Sequence, residues 1–147
     1  MILLLCLKKS NIVWVSSVLD ETINGFLAEV DGSTPANQIF VNAPLSDLST
    51  YRVGGPAALL IKVEDDASFS TILRGLAKFP MPVMVMGNGS NVLISDRGFE
   101  GIVLKLGEFF ETIEIEDKTV KVGAAAKLPI VARETVKCGL RGFEWAV

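Results

Sequence analysis

The 147-residue chain contains no histidine. That excludes His-dependent triads, His-ligated zinc and imidazole acid–base catalysis. Cysteine is scarce: Cys6 and Cys138 are far apart and form no CxxC pattern. They predict reduced thiols, packed as small core residues in a cytoplasmic protein, rather than a disulfide frame. Positive charge is not in excess, with 14 Lys and Arg against 17 Asp and Glu and a formal net charge of -3. The basic face usual in nucleic-acid binding is therefore not expected. No apolar run reaches the about 20 residues that a membrane helix needs. Met1 to Leu7 is apolar but short, and it precedes Lys8 and Lys9, the reverse of the order in a secretory signal.

What is present suits a globular domain of ordinary size. Residues 1–37 predict a helical or poorly ordered lead-in. Asp20 or Ser17 could cap a helix carrying Ile23, Phe26, Leu27 and Val30, and a turn follows at Asp31–Pro35. From Phe40 onward the pattern is orderly. Ala57–Val63 reads as a buried strand, bounded by Gly54-Gly55-Pro56 and by acidic residues. A helix capped by Asp66 or Ser68 should run to about Lys78, on the spacing of Phe69, Ile72, Leu73 and Leu76, and should stop before Pro80. Pro82–Met86 reads as a second buried strand, giving a β-α-β unit. Val92-Leu93-Ile94 is strand-like, and Gly101–Leu106 is a further strand. Residues 111–115 and 119–122 suggest a hairpin around Glu116-Asp117-Lys118. Leu128–Cys138 reads as a helix, with Pro129 in its first turn and Gly139 as its stop. Glu108, Glu111, Glu114, Glu116 and Asp117 read as a solvated hairpin face, not a metal site.

The candidate chemistry lies in Gly87-Asn88-Gly89-Ser90-Asn91, directly after the second strand. Glycines there let main-chain N–H groups approach a ligand. Successive N–H groups form a concave nest suited to phosphate oxygens, and Ser90, Asn88 and Asn91 add neutral donors. The same residues would also serve a plain tight turn. A Rossmann fingerprint fits badly, because Val92 stands where the third glycine belongs and no helix follows at once. A P-loop is excluded by the lack of Gly-Lys-Ser/Thr. Tyr51-Arg52-Val53-Gly54-Gly55-Pro56 is a second candidate. Tyr51 could line a ring pocket and Arg52 could balance a phosphate; the alternative is a structural turn with a half-buried tyrosine.

Three segments carry a resemblance: PLSDLSTYRVGGP (44–56), GNGSNVLISDRGFEGIVLKL (87–106) and VGAAAKLPIVARETVKCGLRGFEWAV (122–147). In order and spacing they resemble the UDP-N-acetylenolpyruvoylglucosamine reductase family, over about residues 40–147. The resemblance implies an α+β fold, an FAD-binding domain of the vanillyl-alcohol-oxidase type built from two small α+β subdomains, over residues 38–147. It implies FAD as cofactor, with Gly87, Asn88, Gly89, Ser90 and Asn91 cradling the pyrophosphate and Tyr51, Arg52, Gly54 and Gly55 near the same pocket. NADPH and UDP-N-acetylglucosamine enolpyruvate are the implied partners of the complete enzyme, which makes a peptidoglycan precursor. The family continues past Val147 with a Gly-x-Pro-Gly loop, an active-site arginine and a substrate domain bearing a serine and a glutamate. No residue here matches those positions, so no catalytic role carries over, and the chain is expected to be inactive alone. The other reading is a non-catalytic flavin-binding or interaction module.

Overall fold

A strand buried on both faces needs apolar residues at every position, and AALLIKV and GIVLKL supply nearly that. The computed structural model describes the backbone of residues 9–30 and 38–146, with side chains from residue 20 on. Met1–Leu7, Cys6 and the 31–35 turn lie outside the described residues. Elements follow in the order α1 (Lys9–Val30), β1 (Ile39–Pro44), β2 (Pro56–Val63), α2 (Asp66–Lys78), β3 (Val83–Met86), β4 (Phe99–Leu106), β5 (Ile113–Glu116), β6 (Thr119–Val122) and α3 (Leu128–Lys137). Short 3-10 turns occupy Ser46–Leu48, Glu108–Glu111 and Glu144–Ala146.

The first unit is a four-stranded sheet in the order β1-β2-β4-β3. β1 runs antiparallel to β2, while β2 and β3 both run parallel to β4. The β2-α2-β3 unit therefore straddles β4, which enters between its two strands. Alternation sends Leu59, Ile61 and Val63 of β2, with Ile102, Leu104 and Leu106 of β4, onto one face. That face packs against Ile72 of α2 and against Phe26 and Val30 of α1. The opposite face gathers Leu60, Val103 and Met86 with Ala43, Leu45, Ala57 and Ile94. Ala57 joins this cluster although it shares parity with Leu59; the β2–β4 register shifts between them, with the extra residue on β4. The second unit is the β5–β6 hairpin followed by α3. It meets the first where Phe110 packs edge-on to Phe69 at 5.8 Å and where Ala125 joins the helix-side core.

Several boundaries differ from the sequence reading. The first helix begins at Lys9, so neither Ser17 nor Asp20 caps it. The cap of α2 is Asp65, one residue earlier than either candidate; its carboxylate accepts from the Ser68 N–H at 2.7 Å and the Ser68 hydroxyl at 3.1 Å. These two bonds hold the Asp65 carboxyl below its ordinary pKa of 3.8. Val92-Leu93-Ile94 is not a strand. Its backbone has no ladder partner: Ile94 turns into the core while Leu93 stays 76% exposed. Cys138 is exposed, not a core thiol. The buried face of α3 is Val131, Ala132 and Thr135, and the helix ends before Cys138 is carried under cover. The five acids flanking and forming the hairpin are exposed except Glu111, which is half-buried.

Gly139 closes α3 as a Schellman motif. It sits at φ +72°, its N–H donates to Val136 O at 2.9 Å, and the Leu140 N–H donates to Thr135 O at 3.0 Å. Nothing lies within 4 Å of a Cβ built there, so only the backbone conformation opposes a side chain. Gly139→Ala is expected to cost about 1–2 kcal/mol, read as a lower denaturant midpoint at unchanged slope.

Candidate functional site

The Gly87–Asn91 turn leaves the carboxyl end of β3, where open parallel sheets place their ligands. It begins the irregular connection that returns as β4. Gly89 is buried, Gly87 is half-buried, and Asn88, Ser90 and Asn91 are exposed. Among the described residues, the main-chain N–H groups of Asn88, Gly89, Ser90 and Asn91 find no acceptor. The same holds for the N–H groups that follow, up to Asp96; Asn88, Ser90 and Asn91 are exposed, so their N–H groups face solvent and are open to a ligand.

The carbonyls of the turn, by contrast, are tied down. Gly89 O accepts from the Thr50 N–H at 3.2 Å. Gly87 O accepts from the Lys105 ammonium. The Asn88 side-chain amide donates to Ala125 O at 3.3 Å, anchoring the turn to the second unit. Gly89 is at φ +65°, and a Cβ there would overlap the Leu48 carbonyl oxygen. At Gly87 the surroundings are open: a Cβ would meet only Ala124 O, at 3.9 Å.

The second candidate segment lies alongside. The Gly55 N–H donates to Ser95 O at 2.8 Å, and Gly55 O accepts from the Leu45 N–H at 3.3 Å. Gly54, at φ +127°, packs its α-carbon against Ile94 so closely that a Cβ would stand 2.6 Å from the Ile94 Cβ. Gly54 and Gly55 therefore pack on the Ile94–Gly98 segment that follows the 87–91 turn. Tyr51 is 60% exposed, more than the half-buried turn expectation allows, and it follows Thr50, whose N–H is bonded to Gly89 O. Arg52 adopts φ +52° in a turn closed by its N–H on Ser49 O at 3.1 Å, and its guanidinium is exposed.

Lys105 was not among the residues that the sequence singled out. On β4 it shares parity with buried Val103, so it rises on the face that carries the turn. Burial under the turn lowers its pKa below that of a free lysine; Glu111 and Glu64 oppose this and Lys127 adds to it. A lysine inside a run such as GIVLKL reads as a solvated position, and only the sheet order reveals what stands above it.

The donor set is chemically selective. Main-chain N–H groups, the Ser90 hydroxyl and the Asn91 amide are neutral and suit an anion whose oxygens only accept. A diphosphate meets that description, and the open side at Gly87 lets one approach. No group of three or more His, Cys, Asp or Glu able to hold a metal occurs among the described residues. No helix among them is long and apolar enough to cross a membrane.

A mixed α+β sheet unit, a hairpin–helix unit and a donor turn at their seam together define an FAD-binding domain. Residues 57–147 match the FAD binding domain family, so the chain belongs to it, and FAD is its cofactor. More narrowly, it is a flavin-binding portion of the UDP-N-acetylenolpyruvoylglucosamine reductase family. It is 39% identical over 103 residues to the reductase 2 of Symbiobacterium thermophilum, matching 70% of this chain and 33% of that protein. It is 35% identical over 115 residues to the reductase of Caulobacter vibrioides, matching 78% of this chain and 38% of that one. The crystal structure of the Thermus caldophilus reductase superposes with a TM-score of 0.52 at 34% identity, covering 72% of this chain and 35% of that one. The chain thus spans about a third of the length of these relatives.

Proposed function

We propose that this chain holds FAD by its diphosphate for a reductase that converts UDP-N-acetylglucosamine enolpyruvate to UDP-N-acetylmuramate with NADPH. The observation that carries the reading is the glycine turn at 87–91, whose carbonyls at 87 and 89 are bonded to protein while its N–H groups are left open, at the end of a parallel strand. Gly87 and Gly89 shape the turn. The main-chain N–H groups, Ser90 Oγ and the Asn91 amide hold the diphosphate, and the Asn88 amide braces the turn on Ala125. Gly54 and Gly55 form the neighbouring wall through their backbone, with Tyr51 and Arg52 at its rim. A cytoplasmic setting belongs to the same reading.

When bound, FAD supplies two-electron hydride chemistry. The residues described here bind and orient it. Hydride delivery to an enolpyruvyl double bond also needs a proton donor in reach of the carbon and fixed partners for the developing negative charge. None of the donors gathered at this site is an acid suited to that protonation. The 147 residues by themselves are therefore proposed to bind flavin without turnover.

Two measurements test this. Titrating the purified chain into FAD should change the flavin fluorescence saturably, at one equivalent. NADPH oxidation with chain, FAD and the enolpyruvyl substrate should stay at the rate of free FAD. Absent binding would remove the flavin role, and substrate-dependent oxidation would remove the claim of inactivity alone.

A further inference from the structure

We propose that Lys105 is a positioning residue of the diphosphate turn. Its ammonium holds the Gly87 carbonyl from beneath and thereby aims the Asn88 N–H at the ligand. The inference rests on the flavin reading of the turn, and it adds a residue that the glycine-rich motif does not contain.

The argument is one of peptide geometry. A trans peptide is planar, and its C=O and N–H lie on opposite edges. No described peptide bond is cis. Fixing the Gly87 oxygen on one side therefore sends the Asn88 N–H to the other side. The next-but-one peptide is held the same way: Gly89 O is fixed by the Thr50 N–H, which sends the Ser90 N–H outward. Alternate peptides of the turn are pinned by their oxygens, and the donors at 88 and 90 are left without protein acceptors. The two clamps differ in kind. Thr50 uses its backbone N–H, which any residue but proline would supply, whereas the clamp on Gly87 depends on one side chain.

Without that clamp, the 87–88 peptide can rotate about its flanking bonds, and glycine at 87 opposes the rotation least. A flipped peptide would present a carbonyl oxygen to a diphosphate, replacing attraction with repulsion. The ammonium also lies one peptide unit from the site, so its charge acts in a partly desolvated setting where attraction to an anion is less screened. Glu64, Glu111 and Lys127 are the charged groups that act on it, and they belong to three other segments.

The test compares the wild-type chain with Lys105→Met, Lys105→Gln and Lys105→Arg, all 15N-labelled. Methionine keeps the length and burial but removes the donor and the charge. Arginine keeps both. Expected is a dissociation constant for FAD about tenfold weaker in K105M. ADP, which carries the diphosphate without the flavin ring, should weaken by a similar factor. K105R should stay within about threefold of wild type. In the ligand-free chain, the Asn88 amide should lose order in K105M and keep it in K105R. K105Q is the second variant should K105M not fold, and it is expected to weaken FAD and loosen Asn88 likewise. Unchanged FAD affinity together with an unchanged Asn88 amide in the folded variants would overturn the proposal. A wild-type chain that binds neither FAD nor ADP would overturn the flavin reading instead. The Asn88 amide would then decide the clamp alone: loss of order in K105M supports it, and unchanged order refutes it.

Discussion

Gly89→Ala is expected to cost the chain its flavin, with binding weakened on the order of a hundredfold, the equivalent of losing about two charge-assisted main-chain bonds. Two independent causes converge at this position. The backbone is at φ +65°, where an L-residue costs about 1–2 kcal/mol. A Cβ would also overlap the Leu48 carbonyl oxygen, which is backbone and cannot swing aside as a flexible side chain would. Relief requires the turn to lift away from the Ser46–Leu48 segment, breaking the Thr50–Gly89 bond and rotating the Ser90 N–H. Folding stability should fall by about 3 kcal/mol in the same variant, from strain plus overpacking. Flavin fluorescence titration and a denaturation curve on one preparation read both effects. Retained FAD affinity would show that the turn is not the diphosphate seat.

Phe26→Ala is expected to destabilise the chain by about 3–5 kcal/mol, the usual cost of emptying a buried phenylalanine site. Phe26 is fully buried, its ring lies over Gly75 of α2, and it shares a core with Ile61, Ile72 and Ile102. It stands well before residue 57, where the family match begins. The helix that carries it is also tied to α2 by the Glu29–Lys78 ion pair at 2.7 Å, an exposed contact of small value beside the apolar burial. A urea midpoint shifted by several kcal/mol equivalents would show that α1 belongs to the folding unit. A shift below about 1 kcal/mol would show that the remainder folds without it.

The legible parts of the sequence were those written in a single period. Phe69, Ile72 and Leu76 gave α2, and the 113–122 alternation gave the hairpin. Gly139 and Pro129 bracketed α3. The glycine spacing at 87–89 located the turn, but the strand before it is not the buried one that PVMVM suggested: β3 is an edge strand, with Val83 40% and Val85 56% exposed. β1 was not legible: IFVNAP is broken by Asn42 at φ +51° and by a terminal proline, so no alternation survives. Val92–Ile94 misled because three apolar residues in a row are what both a strand and a loop plugged into a core look like. Cys138 misled because helical spacing carries it onto the buried face of a helix that ends one residue short. The role of Lys105 was invisible because sheet order is a long-range property. Nothing near residue 105 records that β4 lies between β2 and β3.

That central placement of β4 has a consequence for synthesis. The ribosome releases β2 and β3 before the strand that joins them exists, and domains generally consolidate as their segments emerge. Until Leu106 has left the exit tunnel, two apolar strands wait with a gap between them. Such non-local pairing is slow to form. Lys105, which holds the Gly87 carbonyl, lies on that late strand, so the turn gains its clamp only once β4 has inserted.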